Sequence, residues 1–210
     1  MKIEPKAGAL SKVAFEKGLK NNQQLATWIK NLPYSRNSDR ADYTLPLSEN
    51  RGTCSTKHAL YKAISEENDW PDIELCVGIF WMNEESNPSC KSILDGHSIK
   101  EIPEAHTYLR IIDEYTDLTG LKQRINEEQL EDEMEISPSD IGLMKEVMHK
   151  GFIAEWIEEC ELERTVEEIW KIREELSEQE FKVFTVANIT IFLVLFIILP
   201  LIFLWTGKRL

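Results

Sequence analysis

Gly52-Thr53-Cys54-Ser55-Thr56-Lys57-His58-Ala59-Leu60 is the stretch on which the reading of this chain turns. Thr53 is a good N-cap, and Ala59, Leu60, Ala63 and Ile64 give the following residues an apolar side, so the spacing predicts a helix from Thr53 to Glu66. Cys54 then falls in the first turn. The unpaired N–H groups and the positive dipole end there favour thiolate over thiol. Gly52, lacking a side chain, lets another segment approach closely. An activated cysteine nucleophile belongs in such a place.

A thiolate nucleophile needs a proton carrier from another element. Ile73-Glu-Leu-Cys-Val-Gly-Ile-Phe-Trp-Met82 is short, β-branched and apolar on both faces, as a central strand is. Glu104 to Ile112 reads as a second strand and Tyr115 to Thr119 as a third, joined by a tight Asp113–Glu114 turn. On the second strand, Glu104, His106 and Tyr108 share a face. With the turn centred between Asp113 and Glu114, His106 lies opposite Leu121. Asp117 keeps the same parity and sits diagonally. It is thus placed to fix the imidazole tautomer.

Other residues carry weaker signals. His58 shares a helical face with Cys54, which leaves little room for a substrate between them. Glu104 reads as an ion-pair residue, Asp113 as a turn residue, and His149 as a surface helix residue. Cys76 reads as a buried inert thiol, and Cys90 and His97 as loop residues. No two cysteines have C-x-x-C spacing and no His/Cys cluster has zinc spacing, so no metal or cofactor is expected.

These pieces together resemble the transglutaminase-like superfamily, in particular its small bacterial proteins. The matching segments are Gly52-Thr53-Cys54-Ser55 at a helix start, Ala105-His106-x-Tyr108-Leu109 on a strand and Thr116-Asp117-Leu118-Thr119 on the next, in that chain order. The resemblance covers about residues 32–120. It implies an α+β, papain-like core, with a cysteine-bearing helix on an antiparallel sheet. It also implies that Cys54 is the nucleophile, His106 the acid/base and Asp117 the orienting carboxylate of a thiol hydrolase or acyltransferase. The substrate would be a peptide or protein amide. The alternative is a binding or scaffolding domain of the same fold without turnover. Departures from the pattern are a short His-to-Asp hairpin and Thr107-Tyr108 where a Trp usually follows the histidine.

Outward from this core, Val13, Phe15 and Leu19 mark a first helix, and Asn22 is the expected cap of a second that Pro33 stops. Residues 34–50 and 83–101 read as loops. The acidic run from Glu127 to Glu135 reads as a solvated face or linker. A helical region follows over 137–180, opened by Ser137-Pro138-Ser139-Asp140 and containing the capping box Thr165-x-x-Glu168. Residues 1–180 are therefore taken as one domain.

Val183 to Trp205 carries no charge over 23 residues. As a helix it would span ~34 Å, enough for a hydrocarbon core of ~30 Å. The expectation is a single-pass transmembrane helix over 183–205 with a short tail, 206–210. The membrane would be a partner through that segment, and the soluble domain would face the cytoplasm, since the N-terminus shows no secretory signal. The net charge of −13 argues against nucleic acid. Nothing in the sequence specifies an oligomeric state.

Overall fold

The computed structural model describes residues 1–121 and 125–178. Helices α1 (Ala9–Glu16), α2 (Asn22–Asn31) and the short α3 (Pro46–Glu49) precede α4 (Cys54–Glu67). Strand β1 (Ile73–Met82) follows, then α5 (Lys91–Gly96), β2 (Ile102–Ile111), β3 (Glu114–Thr116) and β4 (Glu131–Glu135). Helix α6 (Leu143–Glu159) and a helix over 166–178, here α7, complete the described chain.

The four strands form one antiparallel sheet in the order β3-β2-β1-β4. β1 and β2 are central and pair along their whole length, from Ile73 opposite Ile111 to Met82 opposite Ile102. The apolar run of β1 is accounted for by burial on both faces. Leu75, Val77 and Ile79 of β1, with Ala105 and Leu109 of β2, pack with Ala59, Leu60 and Ile64 of α4 in the main core. A second cluster joins Phe80, Met82 and Ile102 to Ile153 and Trp156 of α6 and to Ile169, Ile172 and Leu176 of α7. The sheet thus has helices on both sides.

The acidic run is a solvated face, but it belongs to the sheet and is not a linker. Glu131–Glu135 is an edge strand paired to β1, with all five side chains exposed. Charge on such an edge discourages pairing with another chain. The second helix is capped by Asn21, whose side chain accepts from the Gln24 N–H, one residue before the expected Asn22. The β2–β3 turn is centred on Ile112 and Asp113, both with positive φ (53° and 62°), and not on Asp113–Glu114. That moves the register by two residues: Leu109 faces Thr116. A shift of two preserves face parity, so Asp117 stays on the side of His106.

The architecture expected from the sequence is corrected in one major respect. The fold is α+β with a four-stranded antiparallel sheet and several helices. Among the described residues no helix is long and apolar enough to cross a membrane. The longest, α6, has 17 residues with acidic and basic side chains among them, short of the ~20 apolar residues a span needs. The segment 183–205 lies outside the described residues. The C-terminal transmembrane helix, the single-pass anchor, the membrane as a partner and the localisation built on them are therefore withdrawn.

Candidate active site

Cys54 is the first residue of α4 and only 7% exposed. Thr53 precedes it with extended backbone, and its N–H donates to Thr56 Oγ1 at 3.1 Å. Thr56 in turn donates to Asn37 Oδ1 at 2.7 Å, which fixes the incoming loop. The start of α4 is therefore held from outside the helix.

Two buried residues of α4 tie it to the segment after β3. Lys57 Nζ donates to the carbonyls of Leu32 (2.7 Å) and Thr119 (2.6 Å). Burial pushes its pKa down to about 8. His58 Nε2 accepts from the Leu118 N–H at 2.6 Å, so its proton is on Nδ1, which donates to the Cys54 carbonyl at 2.8 Å. With both ring nitrogens engaged and its pKa lowered to about 4, chiefly by burial, His58 is a neutral brace and not a base for the thiol. Together these contacts set where Asp117 stands.

His106, on β2, is 5% exposed and neighbours Cys54, which raises its pKa. Its ring stacks parallel to that of Tyr108, with centroids 6.3 Å apart. β3 ends at Thr116, opposite Leu109, so the edge of β2 beyond it has no strand partner. The Thr107 backbone on that edge neighbours Cys54 and lowers its pKa. The third expected residue is close but differently related. Asp117 Oδ2 is 3.7 Å from His106 Nε2, and its Oδ1 is 3.6 Å from His58 Nε2. Both lie beyond hydrogen-bonding distance. Oδ1 accepts instead from the Thr119 N–H at 2.6 Å.

The residue that sequence reasoning missed is Lys145 of α6. It is 8% exposed, and its Nζ lies 3.9 Å from Cys54 Sγ. Nζ donates to Ser55 Oγ at 2.8 Å and to Thr107 Oγ1 at 2.9 Å, and burial lowers its pKa against the pull of Cys54 and Glu104. His149, one turn further along α6, is also buried and donates to the Pro103 carbonyl at 2.8 Å. This corrects its expected surface position. The apolar residues of α6 give little periodic signal. The available hint was the i, i+4 spacing of Lys145 and His149 on a helix with Leu143 and Val147, which are exposed.

The electrostatics follow from these neighbours. Burial alone would raise the Cys54 pKa. The charge of Lys145, the hydrogen bond and charge of His106, and the Thr107 N–H outweigh it, bringing the thiol from 9.0 down to about 5. Burial likewise opposes charge on His106, yet Cys54 and Asp117 together hold its pKa above the ordinary value. Each charged form, thiolate and imidazolium, is thus favoured by the other. Cys76, by contrast, is pushed up to about 11 by burial and remains an inert thiol. The four cysteines are all free.

Cys54, His106 and Lys145 open into a cleft of about 120 Å³. Phe80, Met82, Leu121, Ile125 and Trp170 supply its apolar surface, and Arg36, Arg40 and Arg173 also line it. Glu104 on the same wall makes a bidentate ion pair with Arg173 of α7, at 2.6 and 2.7 Å. Among the described residues no group of His, Cys, Asp and Glu has the arrangement of a metal site.

The functional expectation needs correction on two counts. The membrane anchor has no helix among the described residues to provide it, for enzyme or scaffold alike. Nor do Cys54, His106 and Asp117 make a hydrogen-bonded triad, because the Asp117 carboxylate is divided between two histidines and bonded to neither. A membrane-anchored amide hydrolase or acyltransferase working through such a triad is not what this site describes. In comparisons with known proteins, no family model, no curated protein and no solved structure matches the chain.

Proposed function

We propose that this chain is a thiol-nucleophile enzyme built on a Cys54–His106 dyad, with Lys145 as the cation that holds the thiolate. The observation that carries the reading is a fully buried thiol set against two cationic groups and one backbone N–H. A buried cysteine with only a packing role needs none of these. Their convergence is how a reactive thiolate is made.

In this reading the Cys54 thiolate attacks an electrophilic carbon of a small substrate. A sulfur–carbon bond forms as the bond to the leaving group breaks, and His106 gives its proton to that group. A water then gives a proton back to His106 and attacks the adduct. The carbon–sulfur bond breaks, and the thiolate returns. Lys145 Nζ is the nearest charged donor for negative charge developing at the attacked centre. Asp117 acts through space, favouring the imidazolium, and is a positioning residue. A cysteine-bearing helix laid on an antiparallel sheet, with His106 on a central strand, supports kinship with the transglutaminase-like superfamily as part of this proposal.

Site-resolved iodoacetamide labelling of the full chain, read by mass spectrometry at about pH 6, tests the dyad. Cys54 is expected to label well ahead of Cys76 and Cys90, which are equally enclosed. His106→Ala and His106→Asn are each expected to move the midpoint of the Cys54 labelling rate against pH above about 5. Equal labelling of the three thiols, or indifference of Cys54 to both substitutions, would sink the reading.

A further inference from the structure

Beside the thiol of Cys54 stands an amine. Lys145 Nζ lies 3.9 Å from Cys54 Sγ, and the two residues are only 8% and 7% exposed. The nitrogen is held there by Ser55 Oγ at 2.8 Å and Thr107 Oγ1 at 2.9 Å, and Ser55 Oγ is itself 3.9 Å from the sulfur. Two nucleophilic atoms are thus kept side by side, one of them on the flexible four-carbon stem of a lysine. Both open on the cleft of about 120 Å³, which has room for a molecule the size of hydrogen peroxide.

A thiolate in such surroundings is the form that peroxides oxidise, and the first product is a sulfenic acid, which condenses with a neighbouring thiol or nitrogen. Among the described residues that line the cleft, Cys54 is the only cysteine, so no second thiol is at hand there. The nitrogen at hand is Lys145 Nζ. Charge favours the same outcome. Burial lowers the pKa of Lys145, while the charge of Cys54 and then that of Glu104 pull it up. Oxidation turns the Cys54 thiolate into a neutral sulfenic acid. That removes the larger of the two pulls and shifts the amine toward its neutral, nucleophilic form just as the sulfur becomes open to attack.

We infer that Lys145 resolves the oxidised Cys54: a hydroperoxide converts the thiolate to a sulfenic acid, Nζ condenses with it to a sulfur–nitrogen bond, and the site stays closed until a thiol reductant cleaves that bond. In the first step S–O forms as O–O breaks, and His106 gives a proton to the leaving oxygen, which departs as water. In the second, S–N forms as S–O breaks, and the hydroxyl leaves as water with a proton from the amine. The proton that Lys145 sheds in becoming an amine replaces the one His106 gave. Overall the thiol and the amine lose two hydrogens and two electrons, and the peroxide becomes two waters. Two equivalents of a small thiol reverse the change, yielding its disulfide and the free Cys54 and Lys145 side chains. This latch rests on the proposed reactivity of the Cys54 thiolate and adds its regulation.

The test treats the full chain with hydrogen peroxide, digests it without reductant and reads the peptides by mass spectrometry. A Cys54 peptide joined to a Lys145 peptide, two hydrogens short of the separate pair, is expected. Dithiothreitol should abolish it and restore iodoacetamide labelling of Cys54. Lys145→Arg keeps a positive charge beside the sulfur and has no amine able to condense. There the joined peptide should be lost, and prolonged peroxide should carry Cys54 on to the irreversible sulfinic acid. Wild-type Cys54 that accumulates as sulfenic acid, trapped by dimedone, or as sulfinic acid, with no joined peptide, overturns the latch and leaves the reactive thiol intact. A joined pair that retains an oxygen from the peroxide overturns the direct sulfur–nitrogen bond. A Cys54 that peroxide leaves unoxidised also overturns the latch; if iodoacetamide then labels it no faster than Cys76, the thiolate reading falls with it.

Discussion

The pH dependence of Cys54 alkylation, and its response to Lys145→Met, tests the electrostatic core of the site most directly. With the thiol at about 5 in place of 9.0, the labelling rate should rise through about pH 5 and be flat above about pH 6, because the thiolate is then fully formed. An ordinary peptide thiol should go on climbing to about pH 9. At about pH 6 the thiolate fraction of Cys54 exceeds that of a thiol at 9.0 by about 900-fold. A Brønsted slope of 0.4–0.5 removes ~40- to 100-fold of this through lower basicity. The net advantage is on the order of tenfold at pH 6 and vanishes near about pH 7. Slow access to a buried thiol scales the whole curve without changing its shape.

Lys145→Met keeps the volume of the side chain and removes its charge. Two unit charges at 3.9 Å interact by on the order of 4 kcal/mol at an effective dielectric constant of 20, or ~3 pK units. The midpoint in the variant should therefore move from about 5 toward about 8 as its upper bound. Stopped-flow or quench-flow alkylation with iodoacetamide, resolved to Cys54, gives both curves. A wild-type rate that keeps climbing to pH 9, or a midpoint that moves by less than about one unit in Lys145→Met, would refute the assignment of Lys145 as the thiolate's counter-ion.

Two further outcomes follow from the scaffold. Gly120 has φ +76° and leaves 2.1 Å between an added Cβ and the Lys30 carbonyl oxygen, so Gly120→Ala should destabilise the fold by at least about 2 kcal/mol in urea titration. Glu104→Gln leaves the enclosed Arg173 without one of its two carboxylates and should cost about 3–5 kcal/mol, with much of it recovered in Glu104→Gln/Arg173→Met; a single-variant cost below about 1 kcal/mol would show that the pair does not hold α7 to the sheet.

Local sequence determined several elements well because their causes are local. Ile73–Met82 is a strand because a β-branched run apolar on both faces suits only a covered centre, and β1 has those bounds. Thr53 before a half-apolar run sets the start of α4, and that start puts Cys54 in the first turn. Parity along the second strand put His106 and Asp117 on one side, although the turn is one residue earlier than Asp113–Glu114. Positive φ suits Asp113 but is unusual for the β-branched Ile112, and no sequence rule anticipates it there.

What the sequence by itself determined is thus the helix that carries Cys54, the strand that carries His106, and the parity of Asp117. Only the tertiary structure decided the rest. Lys145 reaches Cys54 from 91 residues away, and a lysine on a weakly amphipathic helix has no local feature that marks it for burial. The sharing of Asp117 between two histidines depends on Lys57 and His58 bonding to the segment after β3. The gathering of Arg36, Arg40 and Arg173 on Glu174 joins a loop before α3 to α7 across the cleft. The physical reason is the same in each case. Helix and strand formation reflect interactions a few residues apart, whereas the charge state of Cys54 is set by whichever groups share its low-dielectric surroundings.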